Sequence, residues 1–205
     1  MINTAALSSN TWVTLLLCGR FGEHNSNARP LNQSEFHELD YALEACKLAP
    51  ENILEIAPMD LKAAGVTHGI SLKRLTGLLA READLEKAIN AWSKLGIWVL
   101  GERDVQYPAR LRQRLSSARP PLLFGAGAMD VLNMGGICIV GSRASGEAAL
   151  QFSAALGKKS AHQGLTVISN DMRGVDREAV SSALDNSGKA IIVLSDRLEK
   201  AVVSK

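Results

Sequence analysis

Aromatic residues, cysteines and long apolar runs are scarce in this chain of 205 residues, and each scarcity argues against a class of protein. Three widely spaced cysteines without a Cys-x-x-Cys pair do not fit a disulfide-stapled scaffold and favour a reduced protein. The longest apolar run near the N-terminus is far shorter than the roughly 20 residues of a membrane span, and no secretory signal pattern is present. We therefore expect a cytoplasmic protein without membrane contact.

The net charge is also small, at +2, but it is unevenly distributed. Residues 1–100 carry nine lysines and arginines against eleven carboxylates, whereas residues 101–205 carry fourteen against ten. A basic excess confined to one half gives mild support for a polyanionic partner.

The common nucleotide-binding, metal and catalytic signatures are missing from the sequence. After Gly141 the next glycine is Gly146, so Gly-x-Gly-x-x-Gly is absent, and no Gly-Lys-Ser/Thr marks a P-loop. The four histidines lack metal-ligand spacing, and no histidine base lies near Ser142 or Ser169. We therefore expect no catalytic residues, no metal site and no cofactor.

The hydrophobic pattern changes from helical to mixed at Gly96. Helical spacing predicts helices over residues 8–18, 32–46, 51–57, 59–64, 71–81 and 84–95. After Gly96, predicted strands at 97–100, 122–124, 137–140, 165–168 and 190–194 are joined by predicted helices at 145–162 and 176–186. This order predicts a small all-α domain at residues 1–95 and an α/β domain at residues 96–205, with a parallel sheet covered on both faces.

The first candidate site is the turn Gly141-Ser142-Arg143, which follows an apolar β-branched run. Backbone N–H groups and the dipole of the helix that follows favour an anion there, and a guanidinium matches phosphate. An ordinary strand-to-helix turn, with arginine on the surface, explains these residues about equally well. The phosphate would belong either to a nucleotide or to a nucleic-acid backbone.

The second candidate site is the turn from Ser169 to Asp176, which follows the next strand. Both turns are expected at the carboxyl edge of the sheet, where Arg173 would join Arg143. Gly174 permits an unusual backbone angle, and Asp176 is most simply a cap of the following helix.

A third stretch, Leu61 to Ser71, is loosely similar to a helix-hairpin-helix DNA module. A plain helical corner is the commoner structure for such a stretch, so we expect one here.

Five ordered blocks resemble the DNA-processing protein A (DprA/Smf) family, whose pattern runs D-x-x-Y-P-x-x-L, P-P-x-L-F, I-V-G-[ST]-R, S-G-x-A-x-G-[IV]-D and G-x-x-I-x-V-L. The corresponding blocks lie at residues 104–111, 120–124, 139–143, 169–176 and 188–194. The resemblance spans about residues 96–199. The helical half is similar in style to the N-terminal domain of longer members, which makes it SAM-like or helix-hairpin-helix-like.

The resemblance implies a Rossmann-like domain that binds single-stranded DNA without sequence preference. It also implies DNA uptake and recombination as the setting, protection of the strand and its loading onto the RecA recombinase, and a homodimer. In the family, the arginine of the I-V-G-[ST]-R block contacts a DNA phosphate, which corresponds to Arg143, with Gly141 and Ser142 shaping the turn. The block that follows lines the same groove, and its positions here are Ser169, Gly174 and Asp176.

The chain departs from the family pattern at two positions and in length. Asn170 and Met172 stand where the family has glycine and alanine. Asparagine tolerates positive φ, so we expect Asn170 to keep the turn, whereas Met172 would narrow the groove and Asp171 adds a negative charge. The family's domain continues past residue 205, so the sheet is expected to be incomplete at its C-terminal edge.

Two alternatives remain open at this point. A nucleotide-binding or nucleotide-processing protein could use the same fold, although its Pro-Gly-Gly-x-Gly-Thr turn does not occur here. The chain could also be a truncated, inactive homologue. Binding of a labelled nucleotide or oligonucleotide separates the first alternative from DNA binding, and a cooperative melting curve addresses the second.

Overall fold

The computed structural model describes residues 7–22, 28–67, 69–170, 173–194 and 198–203. The chain forms two compact units, Met1–Gly127 and Ala128–Lys205. Within the described ranges, no helix combines the length and the apolar character needed to cross a bilayer.

The first unit begins with the helices that the periodicity predicted. They are α1 (Ser9–Cys18), α2 (Gln33–Ala45), α3 (Pro58–Ala63), α4 (Leu72–Leu79) and α5 (Glu82–Lys94), with a 3₁₀ helix at Pro50–Leu54. The Ser8 hydroxyl accepts the Thr11 N–H at the start of α1. Asn32 caps α2 in a reciprocal capping box with Glu35. The apolar faces of α1, α2, α3 and α4 meet in one core, which includes Leu17, Phe36, Leu43 and Leu75.

The first unit also contains a hairpin of β1 (Ile97–Gly101) and β2 (Leu122–Ala126), which pair antiparallel. A helix absent from the sequence prediction, α6 (Ala109–Leu115), and a 3₁₀ turn at Ser116–Ala118 lie between them. The Tyr107 hydroxyl, whose pKa is raised by burial, donates to the Pro120 carbonyl at 2.8 Å. Two of the sequence blocks therefore contact each other and close the hairpin.

The position of this hairpin differs from the sequence prediction, which grouped both strands with the parallel sheet. β1 and β2 pair with each other, and β1 packs on α1 and α5. The compact unit therefore extends to Gly127. The domain boundary at residue 95/96 itself stays a prediction.

Asp104 joins this hairpin to the start of α1. Its Oδ1 accepts from the Ser8 hydroxyl at 2.6 Å. Its Oδ2 accepts from the Thr11 hydroxyl at 2.7 Å and the Gly101 N–H at 2.8 Å.

We expect Asp104→Ala to lower the free energy of unfolding by about 2–3 kcal/mol, because three donors lose their acceptor. Urea denaturation checks this against Glu86→Ala, which removes an exposed carboxylate from α5; equal midpoints for the two variants would contradict it.

The start of α2 is also held by a bidentate ion pair. Arg74 Nη1 and Nη2 donate to Glu35 Oε1 and Oε2 at 2.6 and 2.8 Å. These hydrogen bonds lower the pKa of Glu35 from 4.5 to about 2. Only the ionised carboxylate of Glu35 forms this pair. The stability that the pair contributes to the fold is therefore complete above about pH 4.5 and is lost as the pH falls towards 2.

The substitution Arg74→Gln tests this dependence of stability on pH, because it removes the guanidinium group that pairs with Glu35. The pair is partly exposed, so we expect a loss of about 1–2 kcal/mol at neutral pH and a much smaller loss near pH 2. Urea denaturation across this pH range measures both values. A loss that is the same at both ends of the range would contradict the role of the pair.

The second unit contains a parallel sheet in the order β3-β4-β5. Its elements are a 3₁₀ turn at Met129–Asn133, β3 (Gly136–Cys138), α7 (Glu147–His162), β4 (Thr166–Asn170), α8 (Val175–Asp185), β5 (Ala190–Val193) and α9 (Leu198–Val203). The predicted fold class is confirmed: a helical N-terminal part precedes a Rossmann-like parallel sheet.

The expected covering of both sheet faces is wrong for α7 and α8, because these helices pack on the same face. Ile137, Val167 and Ala190 lie in register, and all three join one core with side chains from both helices. Right-handed crossovers that advance in one direction along a sheet place their helices on one side. Cys138 and Val193, on the opposite face, are exposed.

Candidate nucleic-acid interface

The two turns singled out in the sequence touch each other at the carboxyl edge of the sheet. The Val175 N–H donates to the Ser142 carbonyl at 3.4 Å, and the Gly174 backbone lies against the same carbonyl. Gly174 has φ +82° and ψ −135°, and a Cβ there would lie 3.0 Å from the Arg143 carbonyl oxygen. Only glycine fits this position without strain.

Asp176 holds the first turn in place and does not cap its own helix. Its side chain is 1% exposed, and its Oδ1 accepts the Gly141 N–H at 2.7 Å. Gly174 occupies the N-cap position of α8, so Asp176 lies inside the first turn of the helix, where the dipole favours a carboxylate. The expected capping function is therefore wrong. The Gly141 N–H, which we expected to help bind an external anion, is already used.

Gly141 and Ser169 complete this internal support. A Cβ on Gly141 would lie 2.6 Å from Val175 Cβ, so the close approach of the two turns requires glycine. Ser169 is 2% exposed, and its hydroxyl donates to the Ile139 carbonyl at 2.6 Å. The side chains of Ser169 and Asp176 therefore face the interior, which revises the expectation that they line a groove.

The exposed part of this edge is formed by Ser142, Arg143 and Arg173, which we call the arginine turn surface. The Ser142 hydroxyl oxygen accepts the Ala144 N–H at 3.2 Å, which orders the turn from within. Among the described residues, neither arginine has a carboxylate partner within 4.0 Å. Two exposed guanidinium groups on adjacent turns can bind phosphate oxygens.

The residues between the two turns are described only in part. Asn170 is the last residue of β4, where it pairs with Val193 and is half-buried. Asp171 and Met172 lie outside the described residues, so their predicted effects on the groove stay predictions.

The basic excess of the C-terminal half lies mainly outside this surface. Residues 101–127 carry five arginines and two carboxylates, whereas residues 128–205 carry nine lysines and arginines against eight carboxylates. Arg119 pairs with Glu102, and Arg103 pairs with Asp40 and Glu44. The basic excess of residues 101–205 is therefore no evidence for an anionic partner at the arginine turn surface. The positive charge of that surface comes from Arg143 and Arg173.

The other features singled out in the sequence either have a structural explanation or show no arrangement of side chains that could hold a ligand in the described part of the chain. Leu61, Val66 and Ile70 are buried in the helical core, which accounts for their stretch as a corner; His68 within it is outside the described residues. Within the described part of the chain, no group of three histidine, cysteine, aspartate or glutamate side chains is placed to hold a metal ion.

Comparisons with known proteins identify a family and a similar solved structure. A family model described as DNA recombination-mediator protein A matches residues 98–205. The X-ray structure of DNA processing protein A (DprA) from Streptococcus pneumoniae is similar, with a TM-score of 0.57 and 22% identity over 80% of this chain and 53% of that chain. This chain thus spans about half the length of that relative. No protein with a curated description matches.

Proposed function

This chain belongs to the DNA recombination-mediator protein A family, and on that premise we propose that it acts in DNA recombination by binding single-stranded DNA. The observation that carries the proposal is the pair of exposed cations, Arg143 and Arg173, which have no carboxylate partner among the described residues and lie on two turns that contact each other. Guanidinium groups bind phosphate oxygens in a bidentate manner and carry no base preference of their own.

The residues of the two turns divide into two functions. Ser142, Arg143 and Arg173 contact the DNA backbone. Gly141, Ser169, Gly174 and Asp176 hold the two turns in the geometry that presents those side chains. Binding is electrostatic, without a chemical step, and sensitive to salt.

The partners follow from the family resemblance. We propose the RecA recombinase as the protein that receives the bound strand, with protection of single-stranded DNA during uptake and recombination in the cytoplasm as the result. A homodimer is proposed on the same ground.

Nucleotide binding on the same fold is the weaker proposal. A nucleotide phosphate at a strand-to-helix turn is held chiefly by backbone N–H groups. Here the Gly141 N–H donates to the Asp176 carboxylate, and the Ala144 N–H donates to the Ser142 hydroxyl oxygen. Both donors are therefore already used by acceptors within the chain.

A salt titration with a labelled oligothymidine tests the proposed function. We expect measurable binding whose logarithmic association constant falls linearly with the logarithm of salt concentration, by about 0.7 for each phosphate contacted. An unlabelled adenine nucleotide is expected not to compete. Absence of binding, or binding independent of salt, would overturn the proposal, and full competition by the nucleotide would support the alternative.

A further inference from the structure

An aromatic side chain is exposed on α7, the helix that follows the first turn. Ser153, Gly157 and Ser160 form the buried side of α7, whereas the Phe152 side chain is 66% exposed. Among the described residues, the Phe152 ring has no aromatic or guanidinium partner. The ring therefore has a face that is accessible to a ligand.

Phe152 lies close in sequence to the contact that joins α7 to the turns. The hydroxyl of its neighbour Ser153 donates to the Val175 carbonyl at 2.6 Å, and the Val175 N–H donates to Ser142. Helical side chains lean towards the N-terminus of their helix, so the Phe152 ring covers the surface on the side of Gly146, where α7 begins. Six residues of helix separate the two positions by about 9 Å along the axis.

The exposed side of α7 also carries positive charge. Lys158 and Lys159 are exposed, and neither has a carboxylate partner among the described residues. Lys159 lies seven residues after Phe152 and hence on the same face of the helix. Along the axis of α7, the Phe152 ring thus lies between the arginine turn surface and Lys159. An aromatic ring flanked by cations suits a nucleic-acid strand, which presents both phosphates and the π-faces of its bases.

We propose that Phe152 is a stacking platform for a nucleobase of the single-stranded DNA whose phosphates bind the arginine turn surface. The proposal rests on the proposed function and adds the first base-contacting residue to it. Every base presents a π-face, so stacking requires no particular sequence. Bases in a duplex are already stacked on each other, so the platform favours single strands.

The test compares two ligands of equal charge, an oligothymidine and an abasic oligomer with the same number of phosphates. Phe152→Ala is expected to weaken oligothymidine binding about tenfold and to leave abasic binding and the salt slope unchanged. Phe152→Trp, which keeps a stacking ring, is expected to bind oligothymidine at least as well as the unchanged protein. Leu184→Ala, which removes an exposed apolar side chain from α8, is the matched control and is expected to change neither affinity.

Each outcome separates this inference from the proposed function. Equal affinity of Phe152→Ala and the unchanged protein for oligothymidine, or an equal loss on both ligands, overturns the platform and leaves the phosphate site intact. Failure of Phe152→Trp to retain affinity, with a native circular-dichroism spectrum, overturns it as well. Failure of the unchanged protein to bind either ligand overturns the proposed function. A Phe152→Ala variant that binds oligothymidine normally but fails to bind a protein partner assigns the ring to protein contact and also overturns the platform.

Discussion

Arg143→Ala is expected to weaken binding of oligothymidine about tenfold and to reduce the salt slope by about 0.7, which is the value for one phosphate contact on a single strand. Arg143 is exposed, has no carboxylate partner among the described residues and projects from a turn held by Asp176 and Gly174. Its loss removes charge from the surface without disturbing the packing beneath. Fluorescence anisotropy at several salt concentrations measures both quantities.

Two further variants make this result specific. Arg143→Ala combined with Arg173→Ala is expected to weaken binding about 100-fold and to reduce the salt slope by about 1.4, because two phosphate contacts are lost. Lys87→Ala removes the same charge from an exposed position on α5 and is expected to change affinity less than twofold. If Arg143→Ala leaves the salt slope unchanged, or if Lys87→Ala loses as much affinity for oligothymidine as Arg143→Ala does, the DNA does not bind at the arginine turn surface.

Gly174→Ala is expected to lower the free energy of unfolding of the second unit by about 3 kcal/mol. A side chain at φ +82° and ψ −135° is strained, and its Cβ would also collide with the Ser142 carbonyl. The turn must move to relieve the collision, so we also expect DNA affinity to fall in the fraction that remains folded. Urea denaturation followed by circular dichroism measures the stability.

The control for this variant is another glycine of the same edge. Gly146 has φ −70° at the start of α7, and a Cβ there would meet no atom within 4 Å. Gly146→Ala is therefore expected to lower stability by less than about 1 kcal/mol. If both alanine variants are equally stable, the close approach of the two turns is not what makes glycine necessary at position 174.

The helices of the first unit were predictable because their signals are local. Asn32 and Glu35 form a capping box within four residues, and the apolar spacing of α2 and α5 follows a single period. The helix α6 was missed because it is only seven residues long and its apolar pattern is limited to Leu111 and Leu115. Pro108, which directly precedes it, is a further signal of its start.

The arrangement of the candidate site was only partly predictable. Parallel strands place their turns at one edge, so the proximity of Arg143 and Arg173 follows from the order of elements. The partner of Asp176 does not, because Gly141 lies 35 residues away and a local cap was the simplest use of a carboxylate at a helix start. The exposure of Phe152 also depends on which side of α7 packs against α8, which its own sequence does not specify.

The bond between Asp176 and Gly141 has a consequence for how long DNA would stay bound. A turn that is already ordered loses little conformational entropy on binding, so association needs no rearrangement. The buried carboxylate beneath the turn also opposes the field of the two arginines, which limits how tightly a phosphate is held. We therefore expect fast arrival and fast departure of each nucleotide, which suits a protein that transfers a strand more than one that stores it.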